Sequence, residues 1–153
     1  MRLDLRFTAR PLEELWCESL VALIFEGRLE EQEVIAGLDR NMSGSLSILR
    51  EKGFWPGAAG ETLLLIPRDM ANAEKILLKG LGARSGYDLR RLKEACLSTG
   101  NTLAGMGIRD VGIRIPPVRE EEGDYSDHVI STCVNLVRPF QVRHARDHEY
   151  RPR

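Results

Sequence analysis

Several familiar signals are missing from this 153-residue chain, and each absence narrows what it can be. There is no strong charge imbalance: the formal net charge is -1, so nothing global points to nucleic acid or to an anionic membrane surface. No apolar run approaches the length of a transmembrane helix, and the start, Met-Arg-Leu-Asp-Leu-Arg-Phe, alternates charge with apolar residues instead of forming a signal-peptide core. Cysteines number only 3, and Cys17, Cys96 and Cys133 form no C-x-x-C pair. They read as reduced, mostly buried thiols of a cytoplasmic protein. Internal repeats and low-complexity tracts are absent. So is a nucleophile–base pair, because the cysteines fall on apolar faces or beside Trp16 with no histidine implied nearby.

What is present is an ordinary globular composition, 42% hydrophobic and 29% charged, with length for one domain and a real core. The most informative stretch is Lys75–Gly82, Lys-Ile-Leu-Leu-Lys-Gly-Leu-Gly. A short apolar run stopped by two glycines and followed by a helical pattern suits a buried strand of a parallel sheet. Its glycine end is where open α/β sheets place a ligand crevice.

The rest of the chain alternates in kind. Leu3, Leu5 and Phe7 alternate with Asp4, Arg6 and Thr8, which predicts a half-buried first strand ended by Pro11. Leu20–Phe25 is apolar throughout and predicts a central strand. Val34, Ile35 and Leu38 mark a short amphipathic helix, followed by a break at Asp39–Met42. Ser43 is placed to cap a second helix carrying Leu46 and Leu49 and stopped by Gly53. Phe54–Glu61 is a turn-rich connector, Thr62–Ile66 another strand closed by Pro67, and Asp69–Glu74 a turn. After Lys75–Gly82, Ser85 and Asp88 suggest a capping box. It opens a long helix with Leu89, Leu92, Cys96, Thr99 and Leu103 inward, and Gly100 weakens that helix. Asp110–Ile115 is a strand stopped by Pro116-Pro117, and Glu120, Glu121 and Glu122 form a solvated acidic loop. Ser126 caps a final helix with Val129, Ile130, Cys133, Val134 and Val137 on one side. Residues 138–153 are charged and read as a loosely ordered arm. The pattern predicts a three-layer α/β/α sandwich on a mixed, mostly parallel sheet.

Several blocks in order carry a resemblance: Leu20–Gly27, Leu38-Asp39, Gly44-Ser45-Leu46, Gly53-Phe54 with Gly57 and Gly60-Glu61, Lys75–Gly82 with Asp88, and Val111–Pro116. Over residues 1–137 the chain resembles the N-terminal domain of the leucyl (cytosol, M17) aminopeptidase family. That resemblance implies a macro-domain-like fold without catalysis of its own. In the family, two metal ions and the peptidase chemistry belong to a separate C-terminal domain. Its Asn-Thr-Asp-Ala-Glu-Gly-Arg segment does not occur here. No catalytic residue, metal ligand set or cofactor is therefore assigned, and aminopeptidase activity is not expected.

Two loops remain as ligand candidates. Gly80, Gly82, Arg84, Ser85 and Gly86 lie between a strand and a helix, where backbone amides and an arginine can hold a phosphate. The spacing is one residue longer than G-x-G-x-x-G, and the plainer reading is a tight turn. Gly57 and Gly60 can form a second ligand loop or a flexible connection. Phe54 and Trp55 can stack on a ligand but read first as core or interface aromatics. His144 and His148 lie four apart, with Asp147 and Glu149 beside them; on a helix both imidazoles face one way and suit a metal, against a solvated segment. His128 reads as exposed. The expected role is a stand-alone domain acting through self-association or contact with a peptidase subunit. A phosphate-containing small molecule such as a nucleotide or ADP-ribose is the alternative.

Overall fold

The computed structural model describes residues 1–149, with side chains described through Asp147. Its sheet has four strands: β1 (Cys17–Phe25), β2 (Thr62–Leu65), β3 (Ala73–Gly82) and β4 (Val111–Arg114), in the order β2-β3-β1-β4. β1 pairs in parallel with β3 and with β4, while β2 is antiparallel to β3. The four α-helices are α1 (Glu33–Asn41), α2 (Ser45–Glu51), α3 (Leu89–Gly105) and α4 (Tyr125–Glu149).

β1 explains why two helical layers are needed. Leu20, Ala22 and Ile24 point to one face, among Val34, Ile35, Leu38 and Leu46 of α1 and α2. Val21, Leu23 and Phe25 point to the other, among Leu92, Cys96 and Leu103 of α3 and Leu136 of α4. A strand apolar on both faces requires cover on both, and the result is the expected α/β/α sandwich on a mixed, mostly parallel sheet.

The expected first strand does not form. Residues 1–9 carry no strand, and Leu3, Leu5 and Phe7 are exposed. Alternation makes a strand only where an edge accepts it, and here the segment meets the body through the Met1 amino group, 3.1 Å from Nε2 of His144. The break at Asp39 is also displaced, because α1 continues to Asn41. Asp39 Oδ1 accepts from the amides of Leu46 and Ser47, at 2.9 and 3.2 Å, so this aspartate caps α2 where Ser43 was expected to. Ala73 and Glu74, expected in a turn, begin β3.

Asp88, not Ser85, is the N-cap of α3, accepting from the Arg91 amide at 2.9 Å. Leu89 is consequently exposed at the helix start, while Leu92, Cys96, Thr99 and Leu103 are buried. Gly100 does not weaken α3. A Cβ there would lie 2.3 Å from the Leu136 carbonyl oxygen and 3.1 Å from Pro139 Cδ, so glycine permits the close crossing of α3 and α4. That crossing sets the inner face of α4, burying His128, Thr132, Asn135 and Leu136 and leaving Ile130 and Val134 outside. The expected inward stripe through Ile130 and Val134 is corrected accordingly, and so is the expectation that His128 is exposed. The segment from Arg138, expected as a loose arm, continues α4 past Pro139 to Glu149. Arg143 fastens it by donating to the Ala104 carbonyl at 2.8 Å, at the carboxyl end of α3.

Candidate functional site

The carboxyl ends of β1, β3 and β4 meet at one rim of the sheet. The connector Gly57–Glu61 folds onto the end of β3 there. The Gly82 amide donates to the Gly57 carbonyl (3.0 Å), the Gly60 amide to the Gly80 carbonyl (3.2 Å), and the Gly80 amide to the Glu61 carbonyl (2.9 Å). Gly57, Gly60, Gly80 and Gly82 are thus brought together, but as a backbone-on-backbone crossing. A Cβ on Gly80 would stand 2.2 Å from the Ala58 oxygen, and Gly57, Gly60 and Gly82 hold φ of +82°, +87° and +75°. Glu61 Oε2 accepts from the Gly57 and Ala58 amides, both at 3.1 Å, which closes the loop on itself.

Buried Lys79 reinforces the crossing. Its ammonium donates to the Gly60 carbonyl (3.0 Å), Thr62 Oγ1 (3.0 Å) and Ser98 Oγ (2.8 Å). Burial lowers its pKa below the usual lysine value. Arg50, whose pKa burial likewise lowers, donates to the carbonyls of Phe25 (2.8 Å) and Gly27 (2.6 Å) and lies over the buried Trp55 ring at 5.0 Å. Trp55 therefore packs, as expected, whereas Phe54 is exposed.

Arg84 stands at the rim but is committed. Its Nε and Nη2 donate to the two carboxylate oxygens of Glu122, each at 2.8 Å, and Nη2 also reaches the Pro117 carbonyl. The guanidinium carbon lies 4.5 Å from the centre of the Phe25 ring. The hydrogen bond from Arg84 holds the Glu122 carboxyl below the usual glutamate range. The acidic run is thus not uniformly solvated: the Glu122 side chain is 6% exposed. Ser85 and Gly86 sit exposed on the turn that follows.

A cavity of about 190 Å³ lies beside Arg84, walled by Phe25, Gln32 and Pro117 with Glu31 and Glu33. Gln32 plugs the end of β1, its Nε2 donating to the Phe25 carbonyl and its Oε1 accepting from the Phe25 amide, both at 2.9 Å. With Arg84 committed to Glu122 and no other cation among the described residues of its lining, this cavity is a poor phosphate site. Gln32, Arg50 and Glu122 are the rim residues that motif reading missed. None belongs to a spacing pattern, and only the fold brings them together.

A larger cavity, about 450 Å³, lies away from the rim between α3 and α4, beside Arg138, Arg143 and Arg146. Among the described residues no three His, Cys, Asp or Glu side chains group as metal ligands. His144 lies on α4, while the side chain of His148 is outside the described residues. The three cysteines are free thiols; burial raises the pKa of Cys17 and pushes that of Cys96 up to about 11. No helix among the described residues is long and apolar enough to cross a membrane.

Similarity to known proteins agrees with this architecture. The macrodomain of Mycobacterium tuberculosis DarG superposes with a TM-score of 0.65 over 88% of this chain and 90% of its own, at 11% identity. A probable cytosol aminopeptidase of Nitrosomonas eutropha is 30% identical over 72% of this chain and 22% of its own length. The corresponding protein of Thermosynechococcus vestitus is 28% identical over 89% of this chain and 28% of its own. The chain thus spans roughly a quarter of the length of these curated relatives. The model of the cytosol aminopeptidase family's N-terminal domain matches residues 21–137, and the chain therefore belongs to that family through this domain.

Proposed function

We propose that this domain is a non-catalytic interaction module, acting through self-association or by binding a peptidase subunit of its family. The observation that supports it most is the contrast in where polar and apolar groups are satisfied. The rim where an α/β sheet usually takes a ligand is filled by the chain's own backbone and by committed arginines. Large apolar side chains are instead left on outer surfaces, Leu64 and Ile66 beside β2 and Ile130 and Val134 on α4. A cytoplasmic setting accords with the free thiols and with relatives named as cytosol aminopeptidases.

The test is the solution mass of the purified chain, alone and mixed with a full-length family peptidase. The reading expects a mass above 17.3 kDa in at least one of the two. A monomer in both, or metal-dependent peptide hydrolysis by the purified chain, overturns it.

A second reading, a phosphate-containing small molecule at the rim, rests on the cavity beside Arg84 and the macrodomain-like fold. A bound ligand at a hundred times its Kd stabilises by about 2.7 kcal/mol. A dose-dependent melting shift with ADP-ribose or a nucleotide would establish it, and a flat titration would remove it.

A further inference from the structure

The outer edge of β2 has the features of a self-pairing strand. The Gly80 amide donates to the Glu61 carbonyl, and the register Thr62↔Lys79 to Leu65↔Ile76 continues without a shift. In an antiparallel ladder, alternate residues turn their backbone groups toward the neighbour. Glu61, Leu63 and Leu65 therefore face β3, and Thr62, Leu64 and Ile66 face outward. Among the described residues, no backbone hydrogen bond links those three to another element. Leu63 and Leu65 pack on the core beside α1, whereas Leu64 is 45% and Ile66 70% exposed on the opposite face.

Edge strands are normally protected by charge, proline, a bulge or a cover. The opposite edge has such protection: β4 ends in Arg114, ion-paired to Glu33 at 3.0 Å. Between Thr62 and Ile66 there is no charge, no proline and no bulge.

Resting on the self-association half of the functional reading, we infer that β2 pairs antiparallel with β2 of a second copy, in the register centred on Leu64. A two-fold axis normal to the sheet keeps the two faces of both copies aligned, which requires pairing between residues of like parity. Centred on Leu64, this places Leu64 against Leu64, Thr62 against Ile66 and Leu63 against Leu65. Every outward amide then meets an outward carbonyl. No like charges become opposed: Glu61 falls opposite Pro67, and its carboxylate already accepts from Gly57 and Ala58. Two sheets of four strands become one continuous sheet, and Leu64 and Ile66 gain the cover each copy lacks.

The test compares the wild-type chain with Leu64→Lys and with Ile130→Lys, by sedimentation equilibrium across concentration. Pairing at β2 predicts a wild-type mass rising toward twice 17.3 kDa. It predicts a monomeric Leu64→Lys with an unchanged melting profile at low concentration, and a dimeric Ile130→Lys. A Leu64→Cys variant checks the register independently of any folding defect. Facing Cα atoms at a hydrogen-bonded pair lie about 5.5 Å apart, within disulfide reach. Oxidation should link this variant to itself, with the wild type and Ile66→Cys unlinked. A dimer that survives Leu64→Lys overturns the edge while leaving self-association standing. A monomer that binds a full-length peptidase overturns the inference and leaves partner binding. A dimer in which Leu64→Cys fails to link overturns the register.

Discussion

Two places where the sheet meets its surroundings are built in opposite ways. At the carboxyl rim, the amides of Gly60, Gly80 and Gly82 donate to carbonyls of the chain itself, and the side chains of Gln32 and Arg50 occupy the end of β1. At the outer edge of β2, the outward backbone groups of Thr62, Leu64 and Ile66 have no partner element among the described residues, and the leucine and isoleucine are exposed. Unpaired main-chain groups in water cost little, but an apolar row beside them favours a neighbouring strand. The lesson is that glycines mark where a chain closes on itself as readily as where it opens to a ligand. On the proposed reading, the capacity to bind lies at the edge instead of the rim.

The largest effect should come from forcing the rim apart. In Gly80→Ala the new methyl meets the Ala58 and Gly57 backbone, which cannot swing away as a side chain can. The expected loss is about 3 kcal/mol in chemical denaturation. An unchanged midpoint would mean that the connector is loosely held.

Next is Glu122→Gln. Removing the charge from a largely buried carboxylate bonded twice by Arg84 should cost about 2 kcal/mol near neutral pH, discounted for the partial exposure of Arg84. The sign follows from linkage. Because Glu122 titrates below its unfolded value, its contribution is complete above the ordinary glutamate range and is lost as pH falls through the folded pKa. The variant should therefore show a flatter acid limb than the wild type, read from melting temperatures over an acid pH series.

Lys79 gives a smaller effect of the same sign, on the alkaline limb. Its folded pKa is lowered, so above that value the unfolded chain binds more protons than the native one. Stability attributable to this residue should rise with alkaline pH up to the unfolded lysine pKa, by at most about 1.4 kcal/mol per pH unit. Lys79→Met should abolish that rise, and a persistent rise would assign it to another group.

The architecture was legible because both-faced strands and their glycine stops are local patterns: Leu20–Phe25 and Lys75–Gly82 announced two central strands, and the sheet followed. Elements that depend on distant partners were not legible. Leu3, Leu5 and Phe7 have a strand period but stay outside the four-stranded sheet, and periodicity does not record whether a distant edge will be taken up. The inner face of α4 is set by Gly100 on α3 meeting Leu136 and Pro139, which no periodicity within α4 records. At the rim, the sequence identified the glycines but not their use, because a close approach of two backbones and a phosphate cradle require the same residue. Arg84 was legible as a rim cation, while its neutralisation by Glu122 depends on a contact 38 residues away.

The most direct measurement is amide hydrogen exchange at both places, over a range of protein concentrations and with ADP-ribose added. The amides of Gly80 and Gly82 should be protected at every concentration and unaffected by the nucleotide. The amides of Thr62, Leu64 and Ile66 should exchange quickly in dilute solution and become protected as concentration rises. Edge amides that exchange equally fast at all concentrations, together with rim amides that slow when ADP-ribose is added, would contradict the account and make the rim the binding site.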